Sequence, residues 1–191
     1  MTRSERVRKA FDTIRREDFL TSDQRGFASE DRALRIGHHQ TNSQPSTVAD
    51  MLDLLEVEPG QRVLDVGCGS GWTTALLGAL VGPAGQVCGV EIVPELVTWG
   101  RANLAAYPMR WTHIVPAPPD QLGLPDDAPF DRILVSAEAP SLPRSLVDQL
   151  VTGGVLVIPV GGRMTVVRRT DGEPTVAQHG YYSFVPLIEP A

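Results

Sequence analysis

The sequence has few of the residues that hold disulfide-rich or metal-bound scaffolds together. Its 191 residues include two cysteines, Cys68 and Cys88, which are too few for a disulfide framework and do not have metal-ligand spacing. Lys9 is the one lysine among 17 basic residues, and the arginines are scattered along the chain. We therefore expect neither a disulfide scaffold nor a metal site.

Long apolar runs and an excess of positive charge are also missing. The longest apolar run, 75–81, is far shorter than the ~20 residues of a membrane span, and the charged N-terminus does not resemble a signal peptide. The formal net charge of −6 has the wrong sign for binding a phosphate backbone. We expect one cytoplasmic domain, 1–191, that binds neither nucleic acid nor membrane. The sequence carries no signal for an oligomeric state.

From residue 61 onward, short apolar runs alternate with amphipathic helices. This alternation predicts an α/β fold, a Rossmann-like, doubly wound and mostly parallel sheet. Two further apolar runs without a helix between them predict antiparallel C-terminal strands. The predicted strands are 62–66, 86–91, 111–115, 132–136, 155–159, 165–168 and 182–187, and the predicted helices are 72–81, 94–106 and 141–150.

The first 60 residues form a helical and substrate-loop segment that precedes the nucleotide-binding core, 61–191. A helix is predicted over 5–16, and a second helix begins at Pro45 and ends before Pro59. Residues 21–44 show no periodicity, which is typical of a binding loop. Taken alone, Ser43 is most simply the N-cap of the second helix.

The most informative segment is the strand and glycine turn from Asp65 to Gly71, which reads Asp-Val-Gly-Cys-Gly-Ser-Gly. A strand, a glycine turn and a helix at the carboxyl edge of a parallel sheet are typical of nucleotide binding. A dinucleotide fingerprint requires a third glycine at position 72, which holds Trp72. Glu91 ends the next predicted strand, and we expect its carboxylate to accept hydrogen bonds from both ribose hydroxyls of an adenosine.

Several further motifs, in chain order over nearly the whole sequence, resemble the protein-L-isoaspartate O-methyltransferase family. The Gln-Thr-x-Ser-Gln-Pro and Phe-Val-Pro-Leu motifs are specific to this family. The matching segments are Gly37-x-x-Gln40-Thr41-x-Ser43-Gln44-Pro45, 65–71, 90–96, 128–131, 139–140, 149–150 with 153–154, 158–161 and 184–187.

The resemblance implies that methyl is transferred from S-adenosyl-L-methionine to the carboxylate of an isoaspartyl residue in a peptide or protein. S-adenosyl-L-homocysteine is then the product, and the ester closes to a succinimide (aspartimide). The ionised acceptor needs no general base, so we expect His38 and His39 to be a solvated loop pair. Ser43 and Thr41 are the expected catalytic residues, and the expected cofactor-binding residues are Gln40, Thr41, Ser43, Gly67, Cys68, Gly69, Ser70, Gly71, Glu91, Ile92, Asp120 and Gln121.

Three departures from the family pattern concern the cofactor and the substrate. The family's Gly-Asp-Gly after the third core strand is replaced by a stretch with Pro118 and Pro119, in which Asp120 is displaced by one position. We hypothesise a stiffer adenine wall with recognition shared between Asp120 and Gln121. Arg35 adds a cation, and Glu138 adds a carboxylate, on the side where the substrate is expected.

These departures leave other functions open. Relatives of the repair enzyme methylate one aspartate of a ribosomally made, cross-linked peptide and leave an aspartimide, so a dedicated tailoring enzyme is one alternative. A non-catalytic nucleotide-binding module is another. A nicotinamide-dependent oxidoreductase is a third, against which Trp72 counts.

Overall fold

The computed structural model describes residues 2–188 and has a seven-stranded sheet with helices on both faces. Short 3-10 helices lie at 16–19, 25–27 and 125–127. The helices and strands, in chain order, are α1 Arg3–Thr13, β1 Leu34–Gly37, β2 Gln40–Asn42, α2 Pro45–Leu55, β3 Arg62–Val66, α3 Trp72–Val81, β4 Gln86–Glu91, α4 Pro94–Leu104, β5 Thr112–Pro116, β6 Phe130–Val135, α5 Arg144–Val147, β7 Leu150–Val160, β8 Arg163–Arg168 and β9 Thr175–Tyr181.

The strand order confirms the predicted doubly wound fold. It runs β5-β4-β3-β6-β7-β8-β9. Strands β3 to β7 pair in parallel, and β8 and β9 pair antiparallel. The chain leaves β3 toward one edge and returns to β6 on its other side. Ligands of such sheets bind at this switch point, beyond the carboxyl ends of the strands.

The core lies on both faces of the sheet because successive strand residues point to opposite sides. Val63 of β3 belongs to the cluster that includes Ala10 of α1, Met51 of α2 and Leu76 of α3. Its neighbour Leu64 belongs to the opposite cluster, which α5 covers. The N-terminal segment and the sheet therefore share one hydrophobic cluster. No helix in residues 2–188 combines the length and apolar character that crossing a bilayer requires.

Three predicted helices differ from the structure. The helix predicted over 94–106 ends at Leu104. The first helix runs over Arg3–Thr13 rather than 5–16, with a Thr2–Glu5 capping box at its start. The helix predicted over 141–150 is a single turn, Arg144–Val147, and the chain enters β7 at Leu150. The apolar residues at helical spacing in 141–150 therefore cover one face of the sheet without forming a long helix.

The loop predicted over 21–44 contains a β-hairpin, β1–β2, so the expectation of irregular structure was wrong for residues 34–42. Its turn residues, His38 and His39, have φ of +52° and +60°, as a two-residue type I′ turn requires. Both side chains are exposed. Within residues 2–188, no group of three His, Cys, Asp or Glu side chains is arranged to hold a metal ion.

The assignment of Ser43 as a helix N-cap was also wrong. The N-cap of α2 is Gln44, whose side chain makes no capping bond. Instead, Asp31 Oδ1 accepts the Ser46 N–H at 2.9 Å, and Gln44 Nε2 donates to Asp31 Oδ2. The hydroxyl of Ser43 is therefore not used to begin the helix.

The predicted strand 182–187 is not a strand. The last strand is β9, and the segment after it crosses the carboxyl edge of the sheet with one isolated bridge, Pro186 to Glu138. We call residues 182–188 the C-terminal segment. Its apolar side chains line the site described below.

Candidate functional site

The glycine turn joins β3 to α3 at the switch point of the sheet. Gly69 has φ of +54°, and its N–H donates to Glu91 Oε2 at 2.8 Å. A Cβ at Gly69 would lie 3.2 Å from Cδ1 of Ile36 in β1. The hairpin thus packs directly on the turn, and this close approach and backbone conformation both require glycine.

Glu91 uses most of its hydrogen-bonding capacity on the protein backbone. Besides Gly69, the N–H groups of Ile92 and Val93 donate to Oε1 at 2.8 and 2.9 Å. A carboxylate has about four acceptor positions, so one remains, on Oε2. The expected contact between Glu91 and the ribose hydroxyls stays a prediction.

Asp65, for which the motif alone predicted no role, lies beneath the glycine turn. Its Oδ2 accepts hydrogen bonds from the hydroxyls of Thr73 and Thr74, at 2.6 and 2.7 Å, and its Oδ1 has no partner in residues 2–188. Complete burial raises the pKa of Asp65 to about 6. The signal in the sequence is an acidic residue inside an otherwise apolar strand.

A cleft lies between the hairpin, the glycine turn and the end of β4, and we call it the cofactor cleft. Ten of the twelve expected cofactor-binding residues line it: Gln40, Thr41, Ser43, Gly67, Cys68, Gly69, Ser70, Glu91, Ile92 and Gln121. Gly71 is buried at the N-cap of α3. Asp120 is exposed and lines a separate depression with Arg144 and Asp148.

Cys68 lines this cleft with a protonated thiol. The residue is 5% exposed. Burial, with the nearby carboxylates of Asp65 and Glu91, raises the pKa of this thiol well above its usual range. The structure therefore agrees with the interpretation of Cys68 as a small filler.

The C-terminal segment forms a wall of the cofactor cleft that periodicity alone did not find. Residues 185–188 line the cleft. The segment is tied to the chain after β6, since Glu138 N donates to Val185 O at 2.8 Å and Leu187 N donates to Glu138 O at 2.7 Å. The Phe-Val-Pro-Leu motif was the available signal for this wall.

The two departures expected on the substrate side lie elsewhere. Glu138 Oε1 accepts the Gly162 N–H at 3.0 Å, and this residue lines neither the cofactor cleft nor its neighbouring cavity. Arg35 is exposed on β1 and lines neither of them. Glu138 thus joins the chain after β6 to the turn before β8, and the expectation that its carboxylate faces the acceptor stays a prediction.

A second cavity, which we call the polar cavity, adjoins the cofactor cleft. Its lining is rich in hydroxyls, including those of Ser46, Thr47 and Ser183. Among the described residues its one carboxylate is that of Asp50, which accepts a hydrogen bond from the Tyr182 hydroxyl at 3.0 Å. Within residues 2–188, neither cavity is lined by His, Lys or Arg. The residues that line both cavities are Thr41, Ser43, Ser136 and Val185.

The family model described as protein-L-isoaspartate(D-aspartate) O-methyltransferase matches residues 1–191. The chain belongs to this family. A protein-L-isoaspartate O-methyltransferase from Aeropyrum pernix is 44% identical to it over 190 residues, covering 97% of this chain and 73% of the relative. The family depends on S-adenosyl-L-methionine.

Two solved structures are similar over 96% of the chain. A protein-L-isoaspartate O-methyltransferase has a TM-score of 0.86 at 25% identity, and this chain spans 61% of its length. A candidate protein-L-isoaspartate O-methyltransferase from Plasmodium falciparum, in complex with S-adenosyl-L-homocysteine, has a TM-score of 0.84 at 24% identity, with 90% of its length spanned. These similarities confirm the Rossmann-like methyltransferase fold.

The residues present fit such a cofactor. Glu91 keeps one free acceptor position beside the glycine turn. Ile92 is 44% exposed, which leaves an apolar side chain free to cover a purine. Gln121 provides an amide next to the apolar residues Ala117 and Leu122.

Proposed function

We propose that this protein methylates the carboxylate of isoaspartyl residues in peptides and proteins. The observation that carries the proposal is that Thr41 and Ser43, which both carry hydroxyls, line both cavities. The cofactor cleft takes the methyl donor, the polar cavity takes the acceptor peptide, and the two reactants meet at these hydroxyls.

When bound, S-adenosyl-L-methionine supplies a methyl group on a positively charged sulfur. An acceptor oxygen forms the new bond to carbon while the carbon–sulfur bond breaks, and sulfur keeps the electron pair. An acceptor carboxylate is almost wholly ionised at pH 7, so no general base is needed. A lining without His, Lys or Arg supports this chemistry. Alignment of the two reactants can alone contribute ~7–11 kcal/mol.

The chain's own residues orient the reactants. The hydroxyls of Thr41 and Ser43 donate to one acceptor oxygen and aim the other at the methyl carbon. The free position on Glu91 Oε2 accepts from a ribose hydroxyl. The C-terminal segment and Ile36 of the hairpin exclude water from the junction, which favours the merging of opposite charges.

The ester then reacts within the substrate. The following backbone nitrogen attacks the ester carbonyl, methanol leaves, and a succinimide forms. Hydrolysis of this ring returns aspartate and isoaspartate. None of these steps requires a group of the protein.

A binding and turnover experiment tests the proposal. We expect calorimetry to detect S-adenosyl-L-homocysteine and not NAD. With a labelled methyl donor, an isoaspartyl hexapeptide should become labelled and release methanol, while the matched aspartyl peptide should not. Binding without labelling of any peptide would make the protein a nucleotide-binding module instead.

A dedicated peptide-tailoring enzyme is the second candidate. It is disfavoured because Glu138 and Arg35, the two departures from the family pattern that suggested an altered substrate side, do not line the polar cavity. The same assay decides between them when it includes a cross-linked precursor peptide encoded beside the gene. Faster labelling of one ordinary aspartate in that peptide than of the isoaspartyl hexapeptide would replace our proposal with this alternative.

A further inference from the structure

Arg16 is a buried cation that forms no ion pair within residues 2–188, and the carboxylate that favours its charge, Asp31, acts without direct contact. It lies at the start of the first 3-10 helix and is 6% exposed. All five of its N–H donors are used, and every acceptor is an uncharged oxygen. Burial lowers the pKa of Arg16 to about 10, so the guanidinium is charged at neutral pH. Removing a charge from water is costly, so this arrangement requires a compensating set of contacts.

These contacts join the two ends of the hairpin. On the side before β1, Arg16 Nη1 donates to the carbonyls of Ala28 and Glu30, and Nη2 donates to that of Arg32 at 2.7 Å. At the end of β2, Nε donates to Asn42 Oδ1 at 2.8 Å, and Nη2 donates to the carbonyls of Asn42 and Ser43. The guanidinium therefore closes the base of the hairpin.

The face of the same guanidinium contacts the other wall of the cofactor cleft. Its central carbon lies 5.3 Å from the centre of the Trp72 ring, a cation–π distance. Trp72 is the first residue of α3, directly after the glycine turn, and its ring packs edge-on against Phe11 of α1. Arg16 thus contacts both Ser43 and α3, the helix that begins directly after the glycine turn.

We infer that Arg16 is a positioning residue for methyl transfer, which sets the distance between the Ser43 hydroxyl and the glycine turn. The inference rests on the proposed function of Ser43. A displacement of about 1 Å at a reacting centre can lower a rate about 100-fold. The Arg16 bond to the Ser43 carbonyl, at 2.9 Å, is the contact through which such a displacement is prevented.

The test compares Arg16→Lys with Arg62→Lys, a control at an exposed arginine. Arg62 also stacks on an aromatic ring, Phe130, and donates to two carbonyls, but it lies away from both cavities. We expect Arg16→Lys to lower kcat for the isoaspartyl peptide about 100-fold because an ammonium has three donors and no flat face. Affinity for S-adenosyl-L-homocysteine should stay within threefold, and Arg62→Lys should keep kcat within threefold.

Two further measurements separate positioning from simple stabilisation. Guanidinium at low millimolar concentration should raise the kcat of Arg16→Gly at least tenfold. It should not raise the kcat of Arg62→Gly. If Arg16→Lys does not fold, Asn42→Ala replaces it. That change removes the Nε acceptor and keeps the guanidinium, and it should lower kcat about tenfold.

Defined results overturn the inference. It is wrong if Arg16→Lys, or Asn42→Ala in its place, keeps kcat within threefold. It is also wrong if kcat and cofactor affinity fall by equal factors. Hydrogen exchange provides a readout that does not depend on the reaction, since amides of 34–43 should exchange faster in Arg16→Lys than in Arg62→Lys. If the wild-type protein labels no isoaspartyl peptide but exchange responds in this way, the proposed function fails and the link from Arg16 to the hairpin stands.

Discussion

At the scale of single residues, the surroundings of Ser43 support the reaction role proposed for it. Its carbonyl is held by Arg16, and its residue lines both the cofactor cleft and the polar cavity. Helix α2 is capped by Asp31 instead. The hydroxyl is therefore left for a ligand.

We expect Ser43→Ala to lower kcat about 10- to 100-fold, because a hydrogen bond to a charged group contributes about 1.5–3 kcal/mol. Binding of S-adenosyl-L-homocysteine should stay within a few-fold, and the melting temperature should change little. Initial rates with an isoaspartyl peptide measure this, with the exposed Ser141→Ala as control. A fully active Ser43→Ala enzyme would exclude the orienting role.

A second prediction for single residues concerns how Asp120 and Gln121 bind the cofactor. Gln121 lines the cofactor cleft and Asp120 does not, so the hypothesis of shared adenine recognition is reduced to Gln121. We expect Gln121→Ala to weaken binding of S-adenosyl-L-homocysteine about tenfold and Asp120→Ala to change it less than twofold, both measured by calorimetry. A larger effect of Asp120→Ala would return the acidic residue to the site.

At the scale of elements, the C-terminal segment is a wall whose position depends on Glu138. The backbone of Glu138 pairs with residues 185 and 187, and its carboxylate accepts from Gly162. The Gly162 N–H needs a hydrogen-bond acceptor at this position, but that acceptor does not need to be charged. Hydrogen bonds therefore fix the C-terminal segment. We expect the charge of Glu138 to have no electrostatic effect on the substrate.

We therefore expect Glu138→Gln to keep kcat/KM within about twofold for both acidic and basic isoaspartyl peptides. Glu138→Ala should also keep KM for the methyl donor within about twofold, since it removes the acceptor of the Gly162 N–H but keeps both backbone bonds that hold the wall at 185–188. Steady-state kinetics with the two peptides measure both effects. A selective gain for acidic peptides in Glu138→Gln would show that the carboxylate does face the substrate.

Much of the sheet and its glycine turn could be predicted because local signals there agree with tertiary packing. β3, α3 and β4 have the predicted bounds, since buried apolar runs are interrupted by glycines that the turn needs. The signals failed where packing overrides them. The apolar residues of 141–150, which include Leu146 and Val147, recur at helical spacing. The chain nevertheless enters β7 three residues after Val147. The turn at His38 and His39 lacks the Asn-Gly pair that marks a type I′ hairpin.

The candidate site was predicted on its cofactor side and incompletely on its substrate side. The cofactor residues lie in a few contiguous motifs, which a single sequence can reveal. Ser136 lines both cavities from the end of β6. Arg16 lines neither, but it bonds Asn42, 26 residues later in the chain, and the Ser43 carbonyl. Such contacts depend on how distant elements pack, and neither residue has a local pattern.

At the scale of the whole molecule, Asp65 couples overall stability to pH. Burial raises the pKa of Asp65 to about 6 in the folded chain, against about 3.9 in an unfolded one. Between these values the folded state holds a proton that the unfolded state releases. The free energy of unfolding contributed by this group therefore falls as pH rises from about 4 to about 6, by up to about 3 kcal/mol, and levels off above that range.

We expect Asp65→Asn to remove this contribution. The stability of the variant relative to the wild type should improve between pH 4.5 and pH 7, while the exposed Asp126→Asn should show no such trend. Urea denaturation at several pH values measures both. An unchanged difference between wild type and Asp65→Asn across this range would show that Asp65 is ionised throughout.

The protonated thiol of Cys68 has a consequence for the lifetime of the catalyst. A sulfur anion attacks an activated methyl group far more readily than an oxygen anion does, so an ionised cysteine beside the donor would alkylate its own protein. Cys68 lies in the cofactor cleft, and burial keeps its proton in place. We therefore expect Cys68 to stay unalkylated when the methyl donor is bound in this cleft.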